Sequence, residues 1–301
     1  MNIKDLYLQR DKVFRYIDKQ KKFRISYIQC SSVVKSAAER HNLDEIGTFF
    51  LGKVLMASSL IASMLKGEER VTIDVKSNGI FSQLYAEANK VGEVRGFVVG
   101  NKNFDVSVSS MKDFLGTGTI SVSKMLYGKF EPMIGITELK NTTIEQEIVH
   151  YLQTSEQIDS ALVSDIHFDS SKEDCPLVSA NGLLIEMLPN SDQTEKFILE
   201  TQLLTLKPLH SYSINSKNPL EDLSILLEME LEHIEDIPID FYCRCSLDKF
   251  KSQLLTLGKE QIVEMKDSQQ NELICHYCNE HYYLSNDDFS TLLEYFTVQN
   301  N

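Results

Sequence analysis

The chain of 301 residues is 42% hydrophobic and 25% charged, an ordinary balance for a globular protein of two or three domains. Its formal net charge of −14 argues against a nucleic-acid partner, which needs a basic patch to neutralise phosphates. Acidity of this size favours solubility and resists self-association.

Met1 to Asp18 mixes Lys, Asp and Arg with no apolar run, so no secretory signal is expected there. The longest apolar stretch, Phe49 to Leu65, is interrupted by Lys53 and is short for a bilayer span. A cytoplasmic protein with no membrane partner is therefore expected, in a compartment where clustered cysteines mean metal or redox chemistry rather than standing disulfides.

The first strand signal is Phe23 to Ile28. Ser32 is placed to cap a helix from Val33 to Arg40. A longer helix is predicted from about Asp44 to Lys66, with Ile46, Phe50, Val54, Ile61 and Leu65 at helical spacing and Gly67 to end it. From Arg70 to Leu139 the pattern changes to short alternating runs, Val71–Val75, Phe81–Ala88 and Val94–Val99, separated by Ser77-Asn78-Gly79 and Asn89-Lys90-Val91-Gly92. These are hairpins of an antiparallel meander, and without strand–helix–strand alternation the fold class is α+β. Gly116-Thr117-Gly118 lacks the third glycine and following helix of a dinucleotide fingerprint, so a turn or bulge is expected. A helix from Thr143 to Leu152 and two strands, Leu162–Phe168 and Leu177–Leu188, complete an N-terminal domain of sheet and helix over residues 1–189. No P-loop, nucleophile elbow or histidine–glutamate metal motif occurs.

Pro189-Asn190-Ser191-Asp192 marks a boundary. Residues 190–241 read as an acidic linker: from Asn190 to Tyr242 there are 11 carboxylates against three lysines, −8 of the total charge. Leu220, Leu223, Leu227, Leu231 and Ile234 repeat at helical spacing, so a single amphipathic helix is expected over that run. An isolated helix of that length is marginal, so its leucine face needs a cover. A cover that can be withdrawn would expose apolar surface.

Residues 242–301 form a segment so short that a hydrophobic core alone is marginal and a metal staple helps. Cys243-Arg244-Cys245 and Cys275-His276-Tyr277-Cys278 flank 29 residues, 246 to 274. Two paired-thiol clusters at this separation read as a tetrahedral Cys₄ site for one Zn²⁺. Ser246 should cap a helix through Phe250 and Leu254, Leu273 to Tyr283 should form a hairpin, and Ser285-Asn286-Asp287-Asp288 should open a final helix. Arg244 and Lys249 would temper the negative charge of a four-thiolate site, with His276 and His281 outside the ligand set. Such thiolates oxidise, and metal binding at such a site is folding free energy, on the order of 10–16 kcal/mol in zinc-finger peptides. Cys30 and Cys175 lie outside the clusters, and no metal role is expected of them.

This layout resembles the heat-shock protein 33 family of redox-regulated holdase chaperones. The resemblance rests on Cys243-x-Cys245, the long spacer, and Cys275-x-x-Cys278 followed by His281-Tyr282. It extends to Ser155-Glu156-Gln157, Arg95-Gly96, Gly116-x-Gly118 and Gly182-Leu183-Leu184, in family order. Ser77-Asn78-Gly79-Ile80 lacks a proline common after that glycine, and Asn279 replaces a common glycine, a change that the left-handed tolerance of Asn accommodates. The resemblance implies a reduced, zinc-bound and inactive form. Oxidation to Cys243–Cys245 and Cys275–Cys278 disulfides then releases zinc, unfolds the C-terminal module and linker, and exposes apolar surface. That surface binds unfolded or misfolded client proteins without ATP turnover, often as a homodimer. It therefore implies a stress-response protein that is not an enzyme. Two competing readings are a thiol–disulfide oxidoreductase using Cys275 and Cys278, which lacks a preceding thioredoxin-like βαβ pattern, and a zinc-ribbon nucleic-acid binder, disfavoured by the acidity.

Overall fold

The structure is a computed structural model that describes residues 10–100, 114–140, 142–172, 176–215 and 217–298. It divides into two compact units, residues 1–242 and 243–301.

The first unit begins with a hairpin, β1 (Lys12–Asp18) and β2 (Phe23–Gln29), closed by Asp18, whose carboxylate accepts from the backbone N–H groups of Gln20, Lys22 and Phe23. Helix α1 (Ser31–His41) follows. Its N-terminus is not capped by Ser32, which lies inside the helix; Asp11, from just before β1, accepts from the Val33 N–H at 2.7 Å. A cap from a distant residue leaves no local signature. Helix α2 (Glu45–Ala62) starts at Asp44, which accepts from the Gly47 N–H at 2.7 Å. It stops at Ala62, short of the predicted Lys66, because the next turn tightens: Met64 donates to Ile61 and Leu65 to Ala62, three residues back. Gly67 does adopt the left-handed conformation, φ +54°.

The meander forms as expected from β3 (Arg70–Ser77), β4 (Phe81–Asn89) and β5 (Glu93–Gly100), each pair antiparallel. β6 (Gly118–Met125) and β7 (Met133–Glu138) extend the same sheet. Gly116 and Thr117 form a bend that leads into Gly118, the first residue of β6. Gly116 sits at φ +63°, where a Cβ would lie 2.4 Å from Asn78 Oδ1, and that oxygen accepts from the Thr117 N–H at 2.7 Å. The close approach of two turns, not a phosphate, explains the glycine.

Helix α3 (Ile144–Ser155) opens with a Thr143/Gln146 capping box and is followed by β8 (Ser160–Phe168) and β9 (Leu177–Met187). Next come α4 (Gln193–Thr205), capped by Asp192 with Glu195 reaching back, a 3₁₀ turn (Leu209–Ser211) and α5 (Leu220–Leu226). The single helix expected through Ile234 is corrected here. The chain turns at Glu228, φ +52°, and Leu231 and Ile234 enter a strand, β10 (Leu231–Pro238), followed by the short β11 (Asp240–Phe241). Leucines three and four apart served a helix only as far as Leu227. Beyond it, pairing to β1 outweighs helical spacing, as tertiary contacts override weak local preference.

Two sheets result. One has the order β10-β1-β2-β9-β8, all antiparallel; the other has the order β11-β5-β4-β3-β6-β7, antiparallel except for the parallel β11–β5 pair. Helix α2 packs against strands of both and is buried along nearly its whole length, though Ile46 at its start is 40% exposed. By length and composition α2 could cross a membrane, but its apolar character is accounted for by burial in the core. The opposite face of the five-stranded sheet carries a second core: Phe14, Tyr16, Phe23, Ile25, Tyr27, Leu183 and Ile185 lie under Leu199, Leu209, Leu223, Leu227 and Leu231. Both faces of β9 are thus covered, which is why Leu183-Leu184-Ile185 is a continuous apolar run rather than an alternating one.

The second unit holds α6 (Leu247–Leu254), α7 (Lys259–Asp267), the hairpin β12 (Glu272–Ile274) and β13 (His281–Tyr283), and α8 (Asn286–Val298). Ser246 accepts from the Lys249 N–H, and Ser285 and Asp288 exchange bonds at the start of α8, as their sequence predicts. Its core is small: Leu254, Ile262, Leu284, Phe289 and Leu292.

Candidate metal centre

The second unit brings all four clustered cysteines together. Cys243 and Cys245 come from the extended segment before α6, and Cys275 and Cys278 from the turn between β12 and β13. Their four Sγ atoms lie within 4.8 Å of one another, with Cys243–Cys275 at 3.8 Å and Cys245–Cys278 at 3.4 Å. A tetrahedron of sulfurs about 2.3 Å from a cation has edges of about 3.8 Å. The donor set therefore fits a metal ion held by four thiolates, and all four cysteines are free thiols.

The turn is built for this. The Cys275 N–H donates to Glu280 O at 2.8 Å and the Asn279 N–H to Cys275 O at 2.7 Å. Asn279 takes φ +56°, so it supplies the left-handed residue that glycine commonly provides. Burial pushes the Cys275 thiol up; the backbone N–H groups of Tyr277 and Cys278 pull it down by donating to its sulfur. Burial likewise raises Cys278, opposed by the Glu280 N–H. Buried thiols with aligned N–H donors favour the neutral form when alone and are ready to stabilise thiolate when a cation compensates the charge.

Tyr282, on β13, completes the site. Its hydroxyl lies 3.2 Å from Cys245 Sγ and 3.2 Å from Cys245 O, and Phe250 of α6 packs on its ring with centroids 5.4 Å apart. Nothing in the sequence links Tyr282 to Cys245, since 37 residues separate them. Lys249 donates to the Arg244 carbonyl, which places an ammonium over the Cys243–Cys245 segment. His281 is turned to Glu272, 2.8 Å from its carboxylate, and His276 is exposed. Neither belongs to the four-sulfur cluster.

The remaining cysteines differ. Cys30 is buried in the first unit, its thiol 3.6 Å from Ala180 O and raised well above its ordinary range by burial, which makes it an inert core residue. Cys175 lies outside the described residues. Among the described residues, the cysteine cluster is the one group of metal-ligating side chains close enough to share an ion.

Comparison with known proteins identifies relatives in sequence and in fold. A 33 kDa chaperonin of Desulforamulus reducens is 31% identical over 292 residues, covering 95% of this chain and 98% of its own. One from Bacillus velezensis is 29% identical over 277 residues, covering 90% and 94%. In fold, the chain is similar to the crystal structure of the 33 kDa chaperonin (heat shock protein 33 homolog) of Thermotoga maritima, with a TM-score of 0.85 at 24% identity over 96% of this chain and 100% of that one. The family model described as Hsp33 protein matches residues 11–285, and with that match across both units the chain belongs to the Hsp33 family of chaperones.

Proposed function

We propose that the protein is a redox-regulated, ATP-independent holdase, held inactive while Cys243, Cys245, Cys275 and Cys278 bind one Zn²⁺. The observation that carries the reading is the joining of two features: a four-thiol cluster organising a unit with a small core, and a preceding segment, 190–241, that covers an apolar sheet face and leads directly into Cys243. Three functional parts follow: a core at 1–189, a responsive linker at 190–241 and a switch at 242–301.

Zinc supplies a structural cross-link that the small core needs, worth folding free energy. Each pair of neighbouring thiolates, Cys243 with Cys245 and Cys275 with Cys278, loses two electrons to one peroxide. One disulfide forms, two protons are taken up and two waters leave. Disulfide sulfurs no longer hold the cation, so the unit unfolds. The Tyr242 N–H, bonded to Val94 O at 2.8 Å, is the last tie of the linker before Cys243, and it loses its neighbour's support. Withdrawal of Leu199, Leu209, Leu223, Leu227 and Leu231 would expose the aromatic face of the five-stranded sheet to unfolded clients. The reducing cytoplasm is the compartment in which such a latch stays shut, and the active form is expected to be a homodimer.

The test is suppression of aggregation of a thermally unfolding client, with zinc release followed in the same samples. Protection is expected only after peroxide treatment, rising with zinc released. Equal protection by reduced and oxidised protein would overturn the switch.

A further inference from the structure

We infer that β10 is an internal stand-in for the client, and that its release opens the edge of β1 to capture an extended, acidic and apolar segment of an unfolding chain by antiparallel strand pairing. The inference rests on the proposed release of residues 190–241 and adds the mode and preference of binding.

In the five-stranded sheet β10 is the terminal strand, and β1 stands between it and β2. The register runs from Lys12 opposite Pro238 to Asp18 opposite Leu231, with a bulge at Ile234 where Arg15 faces Glu235 and Tyr16 faces His233. The two partners are unequal. β1 is buried at six of its seven positions, whereas β10 is buried only at Leu231 and Ile237 and exposed at Glu232, His233 and Ile234. β10 is therefore attached by its backbone ladder, two apolar anchors, the edge-on contact of His233 with the Tyr16 ring at 5.9 Å, and one carboxylate. That carboxylate, Glu235, accepts from both Arg15 and the Lys90 ammonium, and Lys90 also donates to Ser63 O at 2.7 Å. The approach is close enough that a Cβ on Gly92 would meet Pro238 O at 1.9 Å.

Removing β10 leaves a row of unpaired backbone groups along a buried strand in which Val13, Phe14, Tyr16 and Ile17 stand among the charged Lys12, Arg15 and Asp18, an edge that can template strand addition. It also strips Arg15 of its acid partner. The Arg15 side chain is only 10% exposed, and its Nε is already buried without a hydrogen-bond partner, so a guest carboxylate can meet a larger fork of donors than Glu235 uses. A guest suited to this edge is extended, carries apolar residues at the Leu231 and Ile237 positions, and places an acid near Arg15 and Lys90. Unfolding chains offer such segments in extended form; folded proteins seldom do.

The probe is a fluorescent octapeptide with the sequence of Leu231–Pro238, titrated by anisotropy onto the full chain in three states: reduced with zinc, peroxide-oxidised, and the zinc-bound Glu235→Lys variant, which unlatches β10 without oxidation. Binding about tenfold tighter to the oxidised chain and to E235K than to the reduced chain is expected. Methylating alternate peptide nitrogens, or replacing the acid at the Glu235 position by lysine, should each weaken it about tenfold. An oxidised chain that protects clients but binds the peptide no better than the reduced one, or binds the N-methylated peptide equally well, overturns the inference and leaves the switch intact. A chain that neither releases zinc nor protects clients overturns the switch instead, and E235K then decides the edge on its own; Glu235→Gln replaces it if E235K does not fold. A dimer whose formation excludes the peptide would assign the edge to a second copy and overturn the client assignment.

Discussion

Tyr282 sits where one hydroxyl proton chooses between the sulfur and the carbonyl of Cys245, both at 3.2 Å. A donated hydrogen bond draws charge from a thiolate and slows its attack on peroxide. Tyr282→Phe removes only that group, with Phe250 still packing on the ring. At about 1 kcal/mol for the bond, zinc release under a fixed peroxide dose should quicken about fivefold, measured with a chromogenic zinc indicator. An unchanged rate would show that the hydroxyl serves the carbonyl alone. Asp11 makes a different point. Burial lifts its carboxyl from 3.8 to about 6, although the Val33 N–H opposes the shift. The folded state thus holds the proton more tightly than the unfolded one. The stability this contributes is complete below pH 3.8 and lost as pH rises through about 6. Asn keeps an acceptor for the cap without the charge. Urea midpoints of Asp11→Asn should therefore gain on the native chain as pH rises from 4 to 7, and parallel profiles would refute the assignment.

At the scale of elements, the cover formed by α4, the 3₁₀ turn and α5 is what the acidic, leucine-rich stretch encodes. Its four buried leucines, Leu199, Leu209, Leu223 and Leu227, contribute roughly 8 kcal/mol of apolar transfer before the entropy of ordering the segment is subtracted. Leu223, on the buried face of α5, is 0% exposed. Leu223→Ala should cost about 2–5 kcal/mol and lower the peroxide dose needed for client protection, because the cover starts closer to release. Destabilisation without a change in that dose would mean that the cover is not the responsive element. The same stretch also shows why periodicity failed locally. Leu220, Leu223 and Leu227 do share a helical face, but Leu231 reaches the same core from a strand after the turn at Glu228. Equal spacing along the chain did not distinguish these routes.

Across the whole molecule, the division into 1–242 and 243–301 separates a large core from a small one. A chelator under reducing conditions should unfold the second unit without oxidation. Hydrogen exchange is the measurement: amides of α6, α7 and α8 are expected to lose protection, β10 and β11 to lose part of it, and β2, β3 and β4 to keep it. Retained protection in α6 to α8 after complete zinc removal would show that the five-residue core suffices alone.

The sequence by itself determined the chemistry of the site and most regular elements. Thiol identity and spacing fix what a cation can meet, and caps such as Asp44, Thr143 and Ser246 act within a few residues of where they stand. The Asp192–Glu195 box that opens α4 is equally local, although in the sequence Asp192 reads only as part of a boundary and no helix is expected there. The tertiary structure alone decided the rest: Asp11 capping α1, Tyr282 reaching Cys245, and Leu231 joining β10 to β1 rather than continuing a helix. Each is a contact between residues distant in the chain, chosen by burial and pairing after collapse, and local propensity has no term for it.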